Sequence, residues 1–133
     1  MKRKICITIS LCLFLLTTCA AEESAGSLPT RITHSQAQSM MADNNPLIID
    51  VRTFEEFANG HIENAILIPV DKIEYLAPIL IQDKDTTLLV YCRTGRRSSA
   101  AVLTLAEIGF TSVYDFGGIL NWDGEIIVPA FSQ

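Results

Sequence analysis

The chain has 133 residues, of which 49% are hydrophobic and 19% charged, and its formal net charge is −5. This length and apolar content predict one small globular domain with its own core. The acidic balance excludes nucleic acid and anionic membrane surfaces as main partners, because binding to either requires a positively charged face.

The first 21 residues have the pattern of a secretory signal peptide. Residues 2–4 are basic, and residues 5–16 form an apolar run that is shorter than the roughly 20 residues of a membrane span. Small residues then predict cleavage near Ala21. Loss of this leader removes three positive charges, so the net charge of the exported domain is −8.

The end of the leader also offers a candidate lipidation site. Leu16-Thr17-Thr18-Cys19 resembles a bacterial lipobox, in which Cys19 would become the lipidated first residue, although Thr18 stands where that pattern prefers Gly, Ala or Ser. We expect an exported, periplasmic protein that is either soluble or tethered to the membrane through its N-terminus. Residues 22–30 would form a flexible tether, and residues 31–133 the folded domain.

Short apolar runs alternate with helix-like stretches after residue 31. The pattern predicts a first helix that is capped by Ser35 and runs through about residue 43, and further helices over residues 53–58, 71–80 (interrupted at Pro78) and 99–108. It also predicts strands over residues 47–50, 65–68, 87–91 and 112–115. A last helical turn is expected after residues 117–118. Continuous apolar strands separated by helices predict an α/β fold, in which a parallel sheet is covered on both faces.

Cys92 is the only cysteine of the predicted domain. The other three cysteines lie at residues 6, 12 and 19, in the leader or at its cleavage region, so no internal disulfide can form in the domain. An unpaired thiol in an oxidising compartment is a liability unless it does chemistry. Because His34 and His61 are the only histidines, we predict no metal site.

The surroundings of Cys92 favour its thiolate. The residue follows the strand at 87–91 and precedes a helix, and three arginines lie within the next five positions (Arg93, Arg96 and Arg97). Ligands of open parallel sheets bind at the carboxyl ends of the strands. The helix dipole and the guanidinium groups both stabilise an anionic sulfur, so Cys92 is predicted to be an acidic, nucleophilic cysteine.

Three motifs occur together in a specific order and spacing. The first extends from Ile49-Asp50-Val51-Arg52 through Gly60-His61 to Ile68-Pro69, the second from Leu89 to Ser98, and the third from Val113 to Ile119, followed by Trp122. Over about residues 31–131, they make the chain resemble the single-domain rhodaneses, in an exported bacterial form. The resemblance implies a rhodanese-like α/β fold whose mainly parallel sheet has about five strands.

The resemblance also implies a thiosulfate sulfurtransferase. Sulfane sulfur would pass from thiosulfate, or a similar anionic donor, to a thiophilic acceptor through a persulfide on Cys92. The acceptor would be a thiol or, in vitro, cyanide. No cofactor is implied, and we expect a monomer.

The resemblance further implies a six-residue loop, residues 92–97, whose amides point toward the sulfur. Gly95 would adopt a positive φ, and Ser98 would cap the next helix and contact the sulfur. Asp50, Arg52 and His61 would support the site structurally. The predicted substrate-binding residues are Arg93, Thr94, Gly95, Arg96, Arg97 and Ser98.

Two alternatives remain open at this point. A rhodanese-like sulfur carrier or protein-interaction module would not turn over free thiosulfate. Cysteine phosphatases and arsenate reductases of this fold use a cysteine, five residues and then an arginine. Here Ser98 stands at that position and Arg97 comes one residue early, so the shorter loop suits sulfur better than phosphate.

Overall fold

The computed structural model describes residues 28–129. The leader and most of the tether, including Cys19, therefore lie outside the described residues. The strands are β1 Thr30–Arg31, β2 Leu47–Asp50, β3 His61–Ile62, β4 Ile66–Leu67, β5 Leu88–Cys92, β6 Val113–Gly118 and β7 Ile126–Ile127. The helices are α1 His34–Asn44, α2 Phe54–Ala58, α3 Ile73–Leu80 and α4 Arg96–Glu107, with 3-10 turns at Val70–Lys72 and Ile119–Asn121.

The main sheet has five strands in the order β1-β6-β5-β2-β4, and every neighbouring pair is parallel. This arrangement confirms the predicted α/β fold. All five residues of β5 are buried at the centre of the sheet. Because successive side chains of a strand point to opposite faces, Tyr91 and Cys92 pack into different apolar clusters.

The two clusters cover opposite faces of the sheet. Cys92 lies in the larger cluster, which includes Ile73 of α3 and Leu105 of α4. Tyr91 and Phe116 lie in the other cluster, which includes Ala37 of α1. The sheet is therefore covered by helices on both faces, as the apolar strand pattern predicts.

Threonine caps set the starts of the first two helices. Thr33 caps α1 and Thr53 caps α2, each in a reciprocal capping box with the residue three positions later, Gln36 and Glu56. Because Thr33 is the cap, α1 begins at His34, and its N-cap lies two residues before the predicted cap, Ser35. The left-handed backbone of Asn45, at φ 44°, ends α1.

Two features of the fold differ from the prediction. Pro78 does not interrupt α3, which continues to Leu80. The proline is exposed and lies in the last turn, so it removes only one helical hydrogen bond. Ile73 and Ala77 remain buried and keep the helix packed on the sheet. An antiparallel ribbon of β3 and β7 was not predicted, since strands of two residues are too short to show a periodic pattern.

The sheet also begins at Thr30, inside the expected tether, where β1 pairs with β6. Within residues 28–129, no helix combines the length and the apolar character needed to cross a bilayer.

Candidate active site

Cys92 is the last residue of β5, and it is 1% exposed. Its Sγ accepts a hydrogen bond from the backbone N–H of Gly95 at 3.0 Å and lies 3.8 Å from the hydroxyl oxygen of Ser98. The sulfur therefore lies inside the turn of the loop, where polar hydrogens converge on it.

These hydrogen bonds determine the acidity of the thiol. Burial raises the pKa of Cys92, but hydrogen bonds from the backbones of Ser98, Gly95 and Thr94 and from the Ser98 hydroxyl outweigh it. The net pKa of the thiol is lower than that of an ordinary cysteine. The lowered pKa has the direction expected from the sequence, and its favourable causes are oriented loop donors.

The loop enters α4 earlier than predicted. Gly95, at φ 100°, is the N-cap residue, and α4 begins at Arg96. Ser98 therefore lies within the first turn and does not cap the helix, which corrects the expectation. Its hydroxyl oxygen instead lies within hydrogen-bond distance of the carbonyl oxygens of Gly95, at 3.0 Å, and Gly117, at 3.3 Å, and so links the loop to β6.

A β-bulge in β6 positions this link. Val90 pairs with Asp115, whereas the next residue, Tyr91, pairs with Gly117, so β6 contains one extra residue at this point. The following Gly118 packs directly on the loop, because a Cβ there would lie 2.6 Å from the Cα of Thr94. The glycine pair of the third motif thus allows the loop to rest on the end of β6.

Asp50 and Arg52 form a buried ion pair beside the site. Arg52 Nη2 donates to Asp50 Oδ2 at 2.6 Å and to the Gly60 carbonyl at 2.7 Å, so the pair holds the turn that follows α2. His61 stacks on Phe57, with ring centroids 3.7 Å apart, and its Nδ1 lies 3.0 Å from the Phe57 carbonyl oxygen. These contacts are those of residues that support the fold around the site.

Glu56 is a site residue that the sequence reasoning missed. Its two carboxylate oxygens accept hydrogen bonds from Arg97 Nη1 and Nη2, each at 2.7 Å. The hydrogen bond from Arg97 is the main reason that the pKa of Glu56 falls from 4.5 to about 2, so the carboxylate is ionised at neutral pH. In the sequence, Glu56 signals only the capping box with Thr53.

The three loop arginines therefore differ in role. Arg97 is half-buried and bound by Glu56. The hydrogen bond to Glu56 is the main reason that the pKa of Arg97 is raised, and the negative charge of a Cys92 thiolate raises it further. Arg93 and Arg96 are exposed, and neither forms an ion pair within residues 28–129. Among the three loop arginines, Arg93 and Arg96 thus carry the positive charge that is exposed and not bound by a carboxylate.

Arg31 is a second missed neighbour of the loop. Its Nη1 binds Asp115 Oδ2 at 2.8 Å, and a Cβ on Gly95 would lie 3.1 Å from its Nη2. Its position at the edge of a two-residue strand explains why the sequence does not reveal it.

In the described part of the chain, no three His, Cys, Asp or Glu side chains are grouped so that they could hold a metal ion.

We predict that Arg97→Gln impairs the site more than Arg96→Gln, although both remove one charge. Loss of Arg97 leaves Glu56 unpaired beside the loop and removes a cation that favours the Cys92 thiolate. The pH midpoint of Cys92 alkylation should therefore rise in Arg97→Gln, and, if the chain acts on thiosulfate as its resemblance implies, the KM for thiosulfate should increase about tenfold, or ~1.4 kcal/mol. Equal effects of the two variants would show that only total charge matters.

A double-mutant cycle tests whether Glu56 acts through Arg97. Glu56→Gln preserves the capping box, since glutamine also serves there, but it weakens the hold on Arg97. We expect Glu56→Gln alone to raise KM and to have no further adverse effect in the Arg97→Gln background. Additive effects in the double variant would contradict this coupling.

The chain matches known proteins over most of the described region. A family model described as a rhodanese-like domain matches residues 33–125. The chain is 38% identical over 71 residues to "Thiosulfate sulfurtransferase PspE" of Escherichia coli (strain K12). This match covers 53% of this chain and 68% of PspE. It is 30% identical over 106 residues to "Putative sulfur carrier protein YrkF" of Bacillus subtilis (strain 168), and this match covers 79% of this chain and 56% of YrkF.

A solved structure shows the same fold. The crystal structure of a rhodanese-related protein from Thermoplasma volcanium matches with a TM-score of 0.66 and 28% identity, and the match covers 75% of this chain and 99% of that one. The chain thus spans nearly all of this structural relative but little more than half of YrkF.

Proposed function

The chain belongs to the rhodanese-like domain family, and we propose on that premise that it is a thiosulfate sulfurtransferase. The observation that carries this proposal is the surroundings of Cys92. Its buried sulfur accepts a hydrogen bond from the Gly95 N–H at 3.0 Å, and the pKa of its thiol is lowered. The name of the relative PspE supports the same activity.

The proposed reaction has two steps. The Cys92 thiolate attacks the outer sulfur of thiosulfate, the S–S bond of the donor breaks, and sulfite leaves with the electron pair. The cysteine persulfide then gives its terminal sulfur to the acceptor. With cyanide as acceptor, thiocyanate leaves and the Cys92 thiolate is restored. Covalent transfer thus divides one exchange into two easier steps.

The loop residues of this chain favour the first step. Backbone N–H groups that stabilise the thiolate also suit the anionic terminal sulfur of the persulfide, in the manner of an oxyanion hole. Arg93 and Arg96, which are exposed, attract the dianionic donor in an otherwise acidic protein. The proposed substrate-binding set is therefore the loop backbone together with these two arginines, and Arg97 acts through its pair with Glu56.

The experiment is electrospray mass spectrometry of the purified protein after incubation with thiosulfate, with and without cyanide. A sulfurtransferase should gain the mass of one sulfur atom, lose it on addition of cyanide, and release thiocyanate over many turnovers. Absence of the added sulfur after thiosulfate would refute the proposed reaction.

A sulfur carrier is the second candidate, and the similarity to YrkF favours it. The same mass experiment separates the two. A carrier would accept sulfur from a partner protein or a persulfide donor but would not turn over free thiosulfate. Slow single loading with thiosulfate, without repeated thiocyanate release, would therefore favour the carrier.

We also propose that the protein is exported. This proposal rests on the leader at residues 1–21, which lies outside the described residues. Fractionation of cells that express the full chain should recover the protein from the periplasm or the membrane. If Cys19 is lipidated, Cys19→Ser should move membrane-bound protein to the soluble periplasmic fraction. Uncleaved protein in the cytoplasm would contradict export.

A further inference from the structure

A cavity lies behind the Cys92 loop, and we call it the rear cavity. It has a volume of about 250 Å³, and it is bounded by the loop, the start of α1 and the end of β6. Phe116, which lines it, belongs to the apolar cluster on the α1 face, whereas Cys92 belongs to the cluster on the opposite face. Its lining includes Arg31, His34, Arg93, Thr94, Gly117 and Asn121.

The lining of this rear cavity is basic. Arg31, His34 and Arg93 contribute to it, and no Asp or Glu is among its lining residues. Arg93 forms no ion pair in the described part of the chain, whereas Arg31 is bound on one side by Asp115. In a protein whose formal net charge is −5, this convergence makes the cavity a local site of anion attraction.

His34 is oriented by a hydrogen bond. Its Nδ1 lies 3.1 Å from the carbonyl oxygen of Asn121, so this nitrogen donates to the carbonyl. The other ring nitrogen, Nε2, is left on the side of Gly117, where a Cβ would lie 4.0 Å from it. His34 is therefore held by the protein with Nε2 next to the cavity, where the imidazolium form, in which both ring nitrogens carry hydrogen, donates to an anion.

Where β6 lines the cavity at Gly117 and Gly118, it presents backbone atoms without side chains. A Cβ on Gly117 would lie 3.0 Å from Arg31 Nη2, so glycine is what allows the guanidinium to lie against this wall. The size of the cavity also limits the ligand. Sites for drug-sized molecules have volumes of roughly 300–1,000 Å³, so this smaller and polar cavity suits a compact anion.

We propose that this rear cavity binds a small oxyanion of the sulfate class, held by Arg31, His34 and Arg93. The ligand would contact the loop backbone at Thr94 from the side opposite the Cys92 sulfur. This site shares Arg93 and Thr94 with the loop of the proposed sulfur-transfer site but lies on the opposite side of that loop, and its occupancy does not require turnover.

The test is a titration of the full chain with sodium sulfate against sodium chloride of equal ionic strength. Two spectroscopic probes report on the cavity. The chain contains only two histidines and one tryptophan, and the Trp122 ring lies 5.5 Å from the His34 ring. Sulfate should shift the NMR signals of His34 saturably and leave those of His61 unchanged, and it should change the fluorescence of Trp122. Thermal stability is unsuitable, because sulfate stabilises proteins in general.

Matched variants identify the residues. Arg31→Gln should weaken sulfate binding about tenfold, and His34→Gln, followed by Trp122 fluorescence, should also weaken it. Arg96→Gln, which removes a charge from the same loop outside the cavity, should change the affinity by less than about twofold. Because Asp115 also accepts hydrogen bonds from Ser99 and Gly117, Arg31→Gln should remain folded, which circular dichroism checks.

Two results would overturn the proposal. One is a linear response to sulfate that chloride reproduces, and the other is an Arg96→Gln variant that loses as much affinity as Arg31→Gln. Binding is measured without a sulfur donor, so either result leaves the proposed sulfur transfer unaffected. Conversely, a protein that binds sulfate at His34 but does not form a persulfide would refute only the transferase.

Discussion

Cys92→Ser should abolish transfer of sulfur from thiosulfate to cyanide. A serine hydroxyl is not ionised at neutral pH and cannot form a persulfide, so the first step has no nucleophile. We expect the rate to fall at least about a thousandfold, as occurs when a covalent nucleophile is removed from other enzymes. Thiocyanate release measures the rate, and intact mass measures the loss of sulfur uptake.

The matched control is Cys19→Ser, the same chemical change outside the predicted domain. It should leave sulfur transfer by the purified protein unchanged. Because Cys92 is 1% exposed and packs in the core, its serine variant must also be shown to be folded by circular dichroism. Appreciable transfer by a folded Cys92→Ser protein would mean that Cys92 is not the nucleophile.

Asp50→Ala should cause the largest loss of stability. Asp50 is 0% exposed and Arg52 is 6% exposed, so removal of the carboxylate leaves a guanidinium buried without its counter-charge. Breaking such a pair costs about 3–5 kcal/mol, a large part of the roughly 5–15 kcal/mol that stabilises a small domain. Urea unfolding followed by circular dichroism measures the change in the free energy of unfolding.

Two comparisons make this prediction specific. Asp50→Asn keeps an acceptor for Arg52 but removes the charge, so its loss should be intermediate. Asp71→Ala breaks the exposed pair with Lys72, in which the side chains are 68% and 61% exposed, and should cost at most about 1 kcal/mol. If Asp50→Ala were as mild as Asp71→Ala, the buried pair would not stabilise the turn.

The sequence alone was sufficient for the fold class and for the position of Cys92 at the end of a buried strand. Both depend on local patterns. Apolar runs of four or five residues predicted β2 and β5 within one residue of their bounds, because buried parallel strands are apolar on both faces. Cys92 was recognised because the strand, the loop and the helix that surround it are continuous in the chain.

Local patterns also limited the prediction of boundaries. Ser98 was predicted to cap α4, since serine is a common N-cap residue. In the structure, the left-handed turn at Gly95 starts the helix three residues earlier, and Ser98 bonds to the carbonyl of Gly117, 19 positions away. The backbone conformation of one glycine, and not the capping preference of the serine, decided this boundary.

Only the tertiary structure decided which charges face the site. Glu56 and Arg97 are 41 positions apart, and Arg31 and Asp115 are 84 positions apart, yet each pair adjoins the Cys92 loop. The spacing of residues along the chain contains no signal for such pairs, because they form where helices or strands that are distant in sequence become neighbours in the fold. Periodicity and caps encode each element by itself, whereas the partners of its charged side chains are set by the order of strands, β1-β6-β5-β2-β4.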